Sequence, residues 1–302
     1  MSTVAIIDIG TQSTNLLVTS QHAEIARVVS ATRLGQGLGI TQTLSDEAMS
    51  RTIAAISSHV HIAREHRADT IMLVGTRACR QATNIADFAS RVHAQTGLNL
   101  TVLDGHQEAS YSFVGALVGL PDIDGSTLVI DIGGGSTEFT LGQRTPEHTA
   151  SINHGAVAVT EREILHDPPR PEELINAIGA VQDDLEEVTR LIPQLLTSQR
   201  VVGTAGSIVT IAAVELGLID FDATRLHGFE LTRDAAEDVF RTLATERLSD
   251  RVHNPGLPAD RADIIVGGCC VLVGVMRRLR LDSLVVSTHN LLDGIAAGLL
   301  DT

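Results

Sequence analysis

Lysine is missing from this chain: all 22 basic residues are arginines. That absence excludes the phosphate-loop lysine, the Schiff-base lysine and the strand lysine of protein kinases. Any basic contact to an anion must come from arginine, which holds phosphate through a bidentate fork. Tryptophan is also absent and aromatics make up only 2% of the chain, so the cores must be built from Ala, Val, Ile and Leu. Cysteine is scarce: Cys79, Cys269 and Cys270. An odd number, with two adjacent in an apolar run, argues against a disulfide framework and for a reducing, cytoplasmic setting. No apolar run reaches the ~20 residues of a membrane span. The first run, Val4 to Ile9, is interrupted by Asp8, so neither a secretory leader nor a membrane partner is expected. The net charge of −15 makes generic DNA binding a poor prospect, because that affinity comes from neutralising phosphates. An anionic ligand would need a local, preorganised site.

What the chain does have is a repeat. LVIDIGGGSTEF, Leu128 to Phe139, is echoed by VAIIDIGTQSTN, Val4 to Asn15. Asp8, Gly10, Ser13 and Thr14 match Asp131, Gly133, Ser136 and Thr137, each pair 123 positions apart. At 302 residues and ~150 residues per domain, two domains are expected, and the repeat places one copy in each. Pro121 to Gly125 reads as the linker, giving domains 1–122 and 123–302. Mixed strands and helices in both halves predict an α/β class. A helix is predicted from the Ser45 N-cap to about Ala68, others over 172–196 and 259–279, and a final one over 291–300.

In the second copy the residues after Ser136 alternate, which is strand period, not helix period. The stretch is therefore strand, turn, strand, and the dinucleotide-binding reading loses its context. A glycine-rich hairpin tip can still offer converging N–H groups to phosphate oxygens. Asp131 and Glu138 cannot bind an anion directly. They make sense around a divalent cation such as Mg²⁺, which takes one or two carboxylates plus waters and substrate oxygens. The competing view is a structural turn with solvated acids, and the repetition weighs against it.

Two such hairpins facing each other across a cleft resemble the actin-like ATPase and sugar-kinase superfamily. Within it, the chain resembles the exopolyphosphatase and guanosine pentaphosphate phosphohydrolase family over nearly its whole length. DIGTQST (Asp8 to Thr14), TRACRQATN (Thr76 to Asn84), DGHQEA (Asp104 to Ala109), VIDIGGGSTEF, NHGAVAVTE (Asn153 to Glu161), GTAGS (Gly203 to Ser207) and HGF (His227 to Phe229) fall in the family's order. The resemblance implies two actin-like (ribonuclease H-like) domains, each a mixed sheet with flanking helices, and a last helix that can return to the first domain. It implies Glu108 as the base that activates water, Asp131 and Glu138 as holders of Mg²⁺, with Mn²⁺ as a substitute, and phosphate contacts from Thr11, Ser13, Arg80, Gly133, Gly134, Gly135, Ser136, Gly203, Thr204, Gly206 and Ser207. Its implied substrate is inorganic polyphosphate, with guanosine pentaphosphate (pppGpp) as the alternative. Dimers are common in that family. Longer relatives carry further C-terminal domains, so highly processive work on long chains is not expected here. VSTHNLLDG, Val286 to Gly294, departs from the family's segment: His289 and Leu292 stand where it has arginines.

Two other classes compete. An ATP-dependent kinase of the same superfamily would need an acceptor motif that the sequence does not show. A non-catalytic sensor would not need acids at 108, 131 and 138. Outside the motifs, His59, His61 and His66 do not share one helical face and are expected on a solvated helix. Cys269 and Cys270 are expected in the core. Arg277, Arg278 and Arg280 fit a helix C-terminus better than a landing strip for a polyanion.

Overall fold

The computed structural model describes residues 2–300. The chain divides into two compact units. One runs from the N-terminus to Gly115 and takes up the chain again from Leu291; the other is Ala116–Asn290. The division thus falls a few residues before the Pro121–Gly125 turn, and the last helix is counted with the first unit.

The first unit contains β1 (Thr3–Ile9), β2 (Ser13–Ser20), β3 (Glu24–Ala31), α1 (Leu38–Thr41), α2 (Asp46–Glu65), β4 (Thr70–Gly75), α3 (Arg77–Gln81), α4 (Ile85–Thr96), β5 (Leu100–Val102) and most of α5 (Gly105–Leu117). The second contains β6 (Thr127–Ile132), β7 (Thr137–Gly142), β8 (Pro146–Ile152), α6 (Ala156–Glu163), α7 (Pro171–Leu191), β9 (Arg200–Thr204), α8 (Ala205–Glu215), α9 (Ala223–Leu226), β10 (Glu230–Thr232), α10 (Arg233–Thr245), α11 (Leu248–Arg251), α12 (Ile265–Arg278) and β11 (Ser283–Val286). Then α13 (Leu291–Leu300) follows.

The sheets are β3-β2-β1-β4-β5 and β8-β7-β6-β9-β11-β10. In each, three antiparallel strands lead into two parallel ones, and the second sheet adds β10 at its edge. The repeat seen in sequence is thus a repeat of topology, and the expected α/β class, two mixed sheets with flanking helices, is what the chain adopts.

Strand β1 is apolar at nearly every position because both its faces are covered. Ala5, Ile7 and Ile9 join the cluster that includes Met49, Ile56 and Val60 of α2. Val4 and Ile6 join Leu291, Leu292, Ile295 and Ala296 of α13. The Ser45 hydroxyl accepts the Ala48 N–H at 3.2 Å and opens α2, a cap worth about 1 kcal/mol. In the second unit α12 is buried from Ile265 to Met276, so it is apolar all round. Its glycines allow close approach: a Cβ on Gly274 would lie 3.0 Å from Val181 of α7. Cys269 and Cys270 are free and buried there.

Several sequence expectations change. The helix predicted over 172–196 ends at Leu191, because Pro193 cannot supply an interior N–H. The helix predicted from 259 starts at Ile265, after a separate turn at Ala259–Arg261. His59 is 1% exposed and contacts the Ser30 hydroxyl at 3.1 Å, so it does not belong to a solvated face. Burial lowers its pKa to about 4. Arg277 pairs with Glu237, and Arg278 lies 3.9 Å from Glu186, as expected for a helix end.

Candidate active site

The two hairpins close in the same way. Gly10 N–H donates to the Ser13 carbonyl at 2.9 Å, and Gly133 N–H to the Ser136 carbonyl at 3.0 Å. Asp8 stands opposite Asn15 in the first register, and Asp131 opposite Glu138 in the second. Directly opposed residues of an antiparallel pair share a face. In the first hairpin Asn15 Nδ2 donates to Asp8 Oδ2 at 3.3 Å. In the second, two carboxylates occupy the corresponding positions, and two like charges there call for compensating positive charge. Glu138 is 5% exposed and its Oε1 accepts the Ser151 hydroxyl at 3.0 Å.

The second glycine turn is held from behind. The N–H of Ala156 donates to Gly133 O at 3.0 Å, and those of Val157 and Ala158 to Gly134 O at 2.8 and 3.1 Å. The start of α6 thereby occupies the carbonyls of Gly133 and Gly134, while the Gly133 N–H closes the turn on Ser136. A Cβ on Gly155 would lie 2.5 Å from the Gly134 backbone, so only glycine permits this approach.

Strand pairing adds the third segment. Thr204, at the end of β9, is in register with Asp131 of β6. Glu138, Asp131 and Thr204 therefore form a row across β7, β6 and β9, at the carboxyl ends of the two parallel strands, where α/β sheets bind ligands. Gly203 is buried; Thr204 and Ser207 are fully buried or nearly so. Ala205 has φ of 70°, a left-handed conformation that costs a non-glycine residue energy and often marks a functional turn. Helix α8 starts there, so its N-terminal dipole adds to the polarity of the loop.

Arg261 is the residue that sequence reasoning missed. A Cβ on Gly206 would overlap its guanidinium. Burial lowers its pKa, with the Asp260 charge opposing. An arginine stays protonated under such a shift. It stands 55 positions from Gly206 in an unremarkable PADRAD segment, so no local pattern could have signalled it.

In the first unit, Thr11 and Ser13 lie on the first turn, where Thr11 O accepts the Gly35 N–H at 2.9 Å. Arg80 pairs with Glu108 through Nη1 and Oε2, and the same nitrogen donates to Leu103 O at 3.0 Å. Asp104 and Gln107 cap α5 reciprocally, with Gln107 N–H to Asp104 Oδ1 at 2.8 Å and Asp104 N–H to Gln107 Oε1 at 3.0 Å. That box fixes the turn carrying Glu108. Burial raises the Glu108 pKa; Arg80 and then Arg77 oppose it without reversing the shift.

Among the described residues no group of three or more His, Cys, Asp or Glu side chains is arranged to hold a metal ion. Asp131 and Glu138 form a pair, the number of carboxylates that Mg²⁺ ordinarily takes.

The chain is similar to known proteins along its whole length. It is 32% identical to Exopolyphosphatase 2 of Mycobacterium tuberculosis, with 99% of each chain covered. It is 27% identical to a guanosine-5′-triphosphate,3′-diphosphate pyrophosphatase of Vibrio atlanticus, covering 98% of this chain and 59% of that protein. The crystal structure of an exopolyphosphatase-like protein superposes with a TM-score of 0.94 at 30% identity, 99% of each chain covered. The Ppx/GppA family member from Aquifex aeolicus superposes with a TM-score of 0.81 at 26% identity, over 99% of this chain and 98% of that one. The description of the Ppx/GppA phosphatase family matches residues 6–302. The chain therefore belongs to the Ppx/GppA phosphatase family and is an enzyme of that hydrolytic kind.

Proposed function

We propose that this protein is an exopolyphosphatase that removes the terminal phosphate from inorganic polyphosphate. The observation that carries it is the opposed pair Asp131 and Glu138, set beside a glycine turn in which the carbonyls of Gly133 and Gly134 accept N–H groups of α6. Such a turn presents donors to phosphate while the acids hold a cation. The relative covered over 99% of both chains is named an exopolyphosphatase, whereas the pyrophosphatase relative is longer than this chain. Cleavage of the 5′ γ-phosphate of guanosine pentaphosphate is the alternative.

In this proposal Glu108 takes a proton from water, whose oxygen attacks the terminal phosphorus as the bridging oxygen leaves on the shortened chain. A raised pKa suits a general base working near neutrality. Thr11, Ser13, Arg80, Gly133–Ser136, Gly203, Thr204, Gly206 and Ser207 are proposed to contact phosphate, together with Arg261. A Mg²⁺ ion held by Asp131 and Glu138 supplies charge neutralisation on the phosphate oxygens. Cytoplasmic residence and dimerisation fit this reading as further proposals.

The test is orthophosphate release from tripolyphosphate, long-chain polyphosphate and guanosine pentaphosphate in parallel, with Mg²⁺ and with a chelator. Release from polyphosphate that requires Mg²⁺ is expected. No release from any of the three overturns the proposal; release from the nucleotide alone replaces it with the alternative.

A further inference from the structure

His154 lies between β8 and α6 and is 4% exposed. Its Nδ1 is 2.7 Å from Arg162 Nη2, and its Nε2 is 2.9 Å from Asp184 Oδ2. Arginine has no acceptor atom, so Nδ1 must carry the lone pair. The ring proton is then on Nε2 and is donated to Asp184. Burial, and after it the Arg162 charge, hold the imidazole below its usual pKa against Asp184 and Glu163, so the ring is a neutral linker between α6 and α7.

The backbone of this residue is tied to the glycine turn. The His154 carbonyl accepts the Thr137 hydroxyl at 2.6 Å, one residue after Ser136. Gly155 packs on Gly134 and Gly135, and the next three N–H groups hold the carbonyls of Gly133 and Gly134. We infer that His154 is a positioning residue. The chain Arg162–His154–Asp184 fixes the segment that sets the orientation of the Gly134 and Gly135 N–H groups, and so the strength of phosphate contact there. The inference rests on the phosphate-binding role proposed for that turn. It assigns a task to three side chains that the chemistry itself does not touch.

The experiment uses the full-length, isotopically labelled protein. Imidazole nitrogen resonances give the tautomer of His154. Amide resonances of Gly133–Gly135, and kcat and KM on tripolyphosphate, are then compared in H154A, H154N, H154Q, R162M and D184N. Asparagine keeps an acceptor near the Nδ1 position, and glutamine keeps a donor near Nε2. The Nε2–H tautomer is expected. H154A should shift the turn's amide resonances and lower kcat/KM by about 10- to 100-fold, the scale of a small misplacement of a binding group. H154N and H154Q should each recover part of the loss. An Nδ1–H tautomer, or unmoved turn resonances in H154A, overturns the inference. If H154A does not fold, R162M and D184N decide it by the same resonances, since the Asp184 side chain is 53% exposed and tolerates change. Failure of the wild type to hydrolyse any substrate overturns the proposed function instead, and the resonances still decide the role of His154.

Discussion

Asn15 donates its side-chain amide to Asp8 across the first hairpin at 3.3 Å, in the register position that Glu138 fills against Asp131 in the second. The same backbone device thus carries a neutral hydrogen bond in one copy and a pair of acids in the other. Glu138→Asn rewrites the second hairpin as the first. Phosphate release should fall at least about 100-fold and lose its response to added Mg²⁺, while the melting temperature holds. Mg²⁺ titrations of activity against wild type check this; an unchanged Mg²⁺ response removes Glu138 from cation binding.

Glu108 has a pKa raised by burial, and the sign of that shift makes two predictions. If Glu108 is the base, as proposed, activity should rise with pH through a limb above the ordinary glutamate range, because a carboxyl accepts a proton only when ionised. Arg80→Met removes the main opposing charge and should move the limb to higher pH. Stability runs the other way: a carboxyl whose folded pKa lies above its unfolded value costs stability once it ionises. Glu108→Gln should therefore lower kcat by about 10³-fold yet melt higher than wild type at about pH 8, with the gap closing near pH 4 as both states become protonated. A lower melting temperature at the alkaline end would contradict the assignment.

Gly206 and Arg261 provide a test of phosphate contact that leaves the core alone. A Cβ at position 206 meets the far end of the Arg261 side chain, which can swing aside. Gly206→Ala should lower kcat/KM on tripolyphosphate by about 10- to 100-fold with little change in melting temperature. Arg261→Met should match it, and the double variant should lose no more than the worse single one. Additive losses would show that the two positions act separately.

Gly294 tests why α13 is counted with the first unit. A Cβ there would overlap the Tyr111 carbonyl of α5, which is backbone and cannot give way by rotating. Gly294→Ala should destabilise that unit by about 1–3 kcal/mol despite alanine's better helix propensity. Differential scanning calorimetry reads this as a lowered transition. Amide exchange should rise in β1 and β2, and the second unit's amides should stay protected.

The sequence by itself determined the local devices. Glycine, serine and threonine after an alternating apolar run specify strand, turn and strand, and the register then places Asp8 against Asn15 and Asp131 against Glu138 without further help. It also determined the duplication, because two copies of one motif 123 residues apart fold into two sheets of matching order. Helix ends were less legible: the extra turn at Ala259–Arg261 and the stop before Pro193 depend on contacts and on a missing donor that a periodicity count does not weigh. Tertiary structure alone decided which distant side chains meet. Arg261 reaches Gly206, Arg80 reaches Glu108, and His154 joins Arg162 to Asp184. Each of these joins residues on separate elements, whose meeting is set by how helices cover a sheet. Local sequence fixes the direction of a strand or helix, but the packing of buried faces fixes which polar groups are carried together, and a buried charge finds its partner only there.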